Sequence, residues 1–219
     1  MKSVYVAAGV AALLSAGNAA AQTGTASFNI GSVAVDLTIP AGFCAPTGSA
    51  VHKAAVGVAS DKENTTHLTL YACAQMENAT ISDYFLIKTP STLLNTPATR
   101  EEVLTALTAE MSDPSFSAEN LSSDAGDKAT KSISEASGTA TKITTDIRPL
   151  GRDKDCAYMG GIVNASTEAG VFSLNVGGCI TAVGNRLVMV FRYTKGTTTA
   201  AAAKLLPDAR KLAMALRAK

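Results

Sequence analysis

The residues best able to do chemistry in this 219-residue chain are few: four cysteines, two histidines and some carboxylates. Cys44, Cys73, Cys156 and Cys179 lack the Cys-x-x-Cys spacing of a redox pair or a zinc site. An even set without that spacing reads as two disulfides, which persist in oxidising compartments. Cys156 opens the apolar run CAYMGGIVNA and Cys179 lies late in GVFSLNVGGCI, with the polar stretch 166–169 between them. Two β-prone runs around such a stretch read as a hairpin. If residues 166–169 all form the loop, Ala165 faces Gly170 and Cys156 falls opposite Cys179. If only Glu168 and Ala169 form it, the two cysteines stand one diagonal step apart on the same face. Directly opposed Cβ atoms lie about 4.5–5.5 Å apart, near the roughly 3.5–4.5 Å a disulfide spans. Cys44 and Cys73 then pair by elimination.

The histidines are His52 and His67. A serine or cysteine nucleophile would need one of them as base and a third group to orient it, such as Asp61 or Asp83. No Gly-x-Ser-x-Gly turn is present, and the cysteines are better used as bridges. His67 opens a strand among threonines and His52 lies on a small-residue helix, both ordinary surface positions. Asp153 and Asp155 flank Lys154 and follow Arg152, too few carboxylates for a calcium loop. Gly160-Gly161 and Gly177-Gly178 lie inside strands, where they mark bulges or close backbone approach rather than phosphate binding. No catalytic residue, no cofactor-binding residue and no metal ligand is therefore expected. The net charge of +1 and dispersed Lys and Arg residues argue against nucleic acid. Trp is absent, which leaves little for a base-stacking platform. The four Asn-x-Ser/Thr frames, at Asn64, Asn78, Asn120 and Asn164, read as coincidental in a chain whose leader and composition look bacterial.

The elements that must position these residues follow from periodicity. Lys2, the apolar run from Val4 to Leu14 and the small residues Ala19-Ala20-Ala21 form a secretory signal pattern, cleaved after Ala21. Residues 22–219 are then one domain, with no later run long and apolar enough to span a bilayer. TASFNI and VAVDLTI flank Gly31-Ser32 as a hairpin. Residues 49–59 form a short helix, and HLTLYACAQ and DYFLIKTP are strands. Thr99-Arg100-Glu101-Glu102 is a capping box opening a helix with Val103, Leu104, Leu107 and Met111 on one stripe. Residues 112–139 turn polar and small, an insertion that reads as a mobile binding loop, a passive connector, a solvated helix near Asp124 to Ala136 or a strand pair with little core. TATKITTDIRPL resumes strand character, and RLVMVFRY, apolar on both faces, reads as a central strand. A closing helix carries Leu205, Ala209, Leu212, Ala213 and Leu216, kinked or split at Pro207.

This layout resembles the PsbP-like and DcrB-like proteins. The matching pieces are LTIPAGFCAP after an early hairpin, the helix beginning TREEVL, and GGCITAVGNRLVMVFRY followed by a helix. The resemblance implies an α/β/α sandwich around an antiparallel sheet and an exported accessory or binding role. The expected fold is α+β, an antiparallel sheet flanked by helices with the C-terminal helix packed on it; an all-β sandwich with peripheral helices is the alternative. The expected function is a non-catalytic periplasmic or secreted protein that binds an envelope protein partner. A small-ligand carrier with an apolar cavity, or a secreted hydrolase using His52 or His67, are the alternatives.

Overall fold

Residues 24–78, 80–113, 116–168 and 170–219 are described by a computed structural model, and the expected signal segment 1–21 lies outside them. In chain order the elements are β1 (Thr25–Ile30), β2 (Val33–Thr38), β3 (Phe43–Cys44), α1 (Ser49–Ser60), β4 (Asn64–Ala72), β5 (Tyr84–Pro90), α2 (Arg100–Ser112) and α3 (Ala118–Ser137). There follow β6 (Lys142–Arg152), β7 (Ala157–Thr167), β8 (Gly170–Val183), β9 (Arg186–Lys195), α4 (Thr199–Ala203), α5 (Leu206–Ala215) and β10 (Arg217–Ala218). The fold is α+β, with antiparallel sheets and the C-terminal helix packed on the main sheet.

Every strand pairing is antiparallel. The main sheet has seven strands in the order β3-β4-β5-β9-β8-β7-β6, and a small sheet has the order β1-β2-β10. Turn chemistry sets the local registers. Gly184 and Asn185 take φ of +54° and +57°, the positive pair of a type I′ hairpin, so Val183 faces Arg186. Thr167 faces Gly170, so β7 and β8 use the shorter of the two loops read from sequence. Pro149 is tolerated because β6 is an edge strand, and the register slips between Pro149 and Arg152.

One face of the main sheet carries the core. Leu70, Ile87, Val188, Val190 and Cys179 lie there, buried against Ile30, Val35 and Leu37 of the small sheet and Ala209, Leu212, Ala213 and Leu216 of the last helix. Each fully buried aliphatic side chain contributes about 1.5–3 kcal/mol. Gly177 lets α4 approach this face: a Cβ there would stand 2.7 Å from the Leu205 Cβ and 2.9 Å from the Ala202 carbonyl oxygen. The closing helix is split rather than kinked. Pro207 sits in the first turn of α5, where a missing N–H costs nothing. Thr198 caps α4 by accepting from the Ala201 N–H. The Thr99–Glu102 capping box is present at α2. The last residues form a strand the sequence did not announce, with Arg217 facing Asp36 and Ala218 facing Val35.

The polar stretch around 112–139 is largely the helix α3, and it covers the free edge of β6. Ser122, Gly126, Thr130 and Ser134 recur every fourth residue and so share one face. The Ser122 hydroxyl donates to the Thr145 carbonyl at 2.6 Å and accepts from the Ile147 N–H at 3.0 Å. Thr130 donates to the Ile143 carbonyl and accepts from the Ile143 N–H, and Ser134 treats Thr141 in the same way. Between them Gly126 lets the helix backbone press close, since a Cβ would lie 3.2 Å from the Ile143 carbonyl oxygen. The hydroxyls stand in for a neighbouring strand, which explains a helix with so few apolar residues. The reading of this segment as a connector or loop is thereby replaced.

Candidate functional site

On the face opposite the core, α1 passes over β4 and β5 and encloses a cavity of about 230 Å³. Alternation in the two strands builds its floor. Leu70, Phe85 and Ile87 point to the core, so Thr69, Tyr71, Tyr84 and Leu86 point into the cavity. A register shift between Thr66 and Leu68 adds Thr66 to the same side. The irregularity also turns His67 away from the side of Thr69 and Tyr71, towards Phe28. Lys53, Ala54 and Gly57 of α1 form the roof, and the Lys53 Nζ donates to the Asn78 carbonyl.

The aromatic rings of this face form a row. Tyr71 meets Tyr84 edge-on at 5.9 Å, and Tyr84 stacks on Tyr193 at 4.6 Å. Burial raises the Tyr71 phenol above its ordinary range and raises Tyr84 well above it, so both stay neutral donors near pH 7. Beyond the row Lys88 pairs with Asp61. Burial pushes the Asp61 carboxyl up, but the Lys88 charge and hydrogen bonds from Lys88 and Asn64 leave it below its usual value.

The residues considered for hydrolysis are dispersed. His52 is exposed on α1. His67 stacks on Phe28 of the first hairpin at 5.4 Å, and its Nε2 lies 3.0 Å from the hydroxyl of Thr89. Thr89 is fully buried and donates to the Leu187 carbonyl, so this contact ties neighbouring strands of the main sheet, and the Phe28 stacking ties that sheet to the small one, rather than arming a nucleophile in a cleft. Burial lowers the His67 pKa, against a hydrogen bond to the Asn29 backbone that raises it. Asp83 pairs with Arg192, whose guanidinium lies over both the Phe43 and Phe85 rings, at 4.8 and 4.7 Å from their centroids. Asp153 accepts from the Asp155 and Cys156 N–H groups, the Tyr158 hydroxyl and Arg210. Burial opposes ionisation there, yet these donors bring its pKa down to about 2. Among the described residues no cluster of His, Cys, Asp or Glu could hold a metal ion.

The structure joins Cys44 to Cys73 and Cys156 to Cys179, each with Cα atoms 5.2 Å apart. Tyr158, not Cys156, faces Cys179, so the second bridge takes the diagonal arrangement. Both of its cysteines are fully buried. Cys44, only half-buried, packs with Tyr71, Ala50 and Met76 beside the cavity.

A wider cleft of about 530 Å³ lies between the start of α2 and residues 152–154. Its walls carry charges of both signs, including Arg100, Glu101, Arg152 and Asp153. Arg100 and Arg210 are both paired with Asp155, so these groups serve the ionic closure of the β6–β7 turn. The cavity under α1 is the better candidate, because rings and aliphatic side chains line it beside a few polar groups, the composition of a ligand site. Sequence reasoning missed it, since its floor combines residues of three separate segments; the alternation of Tyr71 in its strand was the available signal.

No family model matches the chain, and no curated protein matches it. Among solved structures it is similar to the solution structure of cyanobacterial PsbP (CyanoP) from Synechocystis sp. PCC 6803. The TM-score is 0.41 and the identity 9%, over 94% of this chain and 99% of that one. Among the described residues no helix is long and apolar enough to cross a membrane.

Proposed function

We propose that this chain is an exported, non-catalytic binding protein of the bacterial envelope that holds a small molecule between α1 and the sheet. The observation that carries the reading is the cavity with ring and hydroxyl walls beneath α1. Mostly apolar pockets with a few convergent polar groups are typical ligand sites. The two disulfides support export, because such bridges persist in the periplasm and outside the cell. The signal pattern of residues 1–21 supports it too. The order of elements that resembles PsbP-like and DcrB-like proteins fits the same accessory role.

The test is native mass spectrometry of the protein isolated from its own envelope without denaturant. The expected result is a small added mass released on unfolding. Bare protein would overturn the carrier reading, and a stoichiometric co-eluting protein would favour the partner-binding role instead.

A further inference from the structure

We propose that the cavity under α1 takes a small organic monocarboxylate whose apolar body is about one ring in size. This rests on the binding reading above and names the class of ligand. The elements that roof and floor the cavity, α1, β4 and β5, carry no Asp or Glu. Lys53 on α1 therefore has no acidic residue three or four positions away, where a helical ion pair would form. The acidic residues that flank these elements are engaged elsewhere: Asp61 with Lys88, Glu63 with Lys128 and Asp83 with Arg192. Lys53, half-buried, meets no carboxylate among the described residues, and its Nζ donates to the neutral Asn78 carbonyl. Glu77, the residue before Asn78, is exposed. Among the described residues that line the cavity, Lys53 is the one ionised side chain, so the lining carries a single unbalanced positive charge.

One ammonium on a flexible stem matches one carboxylate, and hydrogen bonds between ionised partners are the stronger kind. A cation would meet like charge with no carboxylate to offset it, at high cost. The rest of the lining suits the body of a small carboxylate. Tyr71 and Tyr84 offer ring surface beside Leu86, Ile81 and Ala54. The Thr66 and Thr69 hydroxyls can rotate to donate to a carboxylate oxygen. At about 230 Å³ the space lies below the roughly 300–1,000 Å³ of drug-sized pockets, which limits the occupant to about one ring.

Lys53 and Gly57 stand four residues apart on α1, share one helix face and both line the cavity. A Cβ at Gly57 would meet nothing within 4 Å. A larger side chain there fits the fold and narrows the space beside Lys53.

The experiment is an amide-detected NMR titration of the oxidised chain with benzoate, benzamide and benzylammonium, similar in shape and different in charge. Benzoate should bind about tenfold more tightly than benzamide, the worth of one hydrogen bond between charged partners, and benzylammonium should give no saturable shift. The shifts should cluster in α1, β4 and β5. Added sodium chloride should weaken benzoate and leave benzamide unchanged. Lys53→Met should bring benzoate to the benzamide affinity while the melting temperature holds. Gly57→Leu should weaken both. Benzamide binding as well as benzoate, benzylammonium binding best, shifts centred elsewhere, full benzoate affinity in Lys53→Met or undiminished binding by Gly57→Leu would each overturn the proposal. If all three probes fail while the envelope-isolated protein releases a small molecule, the ligand class is wrong and the binding reading stands.

Discussion

The two edges of the seven-stranded sheet are protected by different means. At one end β6 spans Lys142–Arg152, and α3 lies along it with Ser122 and Thr130 bonded to its backbone and Ser134 to that of Thr141 just before it. At the other end β3 is only Phe43–Cys44, and the Cys44–Cys73 bridge holds it to the strand end. An open edge invites pairing with another chain, and both solutions prevent this. The first spreads the task over several hydrogen bonds of about 1 kcal/mol each. The second concentrates it in one covalent link. A distributed guard should weaken gradually under substitution, and a single link should fail all at once.

The largest effect is expected at the covalent edge. Replacing Cys44 and Cys73 together with serine should cost roughly 3–4 kcal/mol for a loop of this length. Urea unfolding would measure the loss, and hydrogen exchange should rise around 40–50 and in β4 while α3 keeps its protection. Gly126→Leu is next, because any side chain there must push α3 from the Ile143 carbonyl; overpacking of this kind costs about 1–3 kcal/mol. Loss of protection confined to α3 and β6 is the expected exchange pattern, and a uniform loss would refute independent edges. Ser122→Ala should cost about 1–2 kcal/mol, since it leaves the Thr145 carbonyl and Ile147 N–H short of a partner.

Acid should separate the two sides with the smallest effect. His67, on β4, has a folded pKa below its ordinary 6.5, so its contribution is complete above that pH and declines as the pH falls. Asp153, just past β6, is lowered from 3.8 to about 2, so its contribution holds above pH 3.8 and is lost as pH falls towards 2. Its side chain is 40% exposed, and screening limits the gain to the order of 1 kcal/mol. Exchange measured down a pH series should loosen β4 and the first hairpin before the β6–β7 turn. The reverse order would contradict the assignment.

The difference between the edges also explains what could be read from the residues. The core strands were legible because Val188 and Val190 alternate with Met189 and Phe191, and apolar periodicity reports burial directly. The capping box and the cysteine partners were legible because their chemistry is local or sterically narrow. The helix α3 stood only as one of several readings of its stretch, because its docking uses hydroxyls and a glycine, which carry no apolar period. β10 escaped because two residues make no pattern; only the assembled β2 gives them a partner. The cavity escaped for a related reason, since an irregularity beside Thr66 sets its floor and nothing in NTTHLTLY marks it.

The closing strand bears on the order of assembly. β10 completes a sheet begun by β1 and β2, and β9 completes the centre of a sheet begun by β4 and β5. Tyr84 waits for Tyr193 and Asp36 for Arg217, so neither sheet is finished until nearly all of the polypeptide is available. Pairings this remote in sequence make folding slow. The cystines are close by comparison, with 29 and 23 residues separating their partners. As the chain emerges, each can form within a short segment before the distant strands arrive. The two crosslinks then serve as early waypoints, holding local hairpins while the chain awaits its last residues.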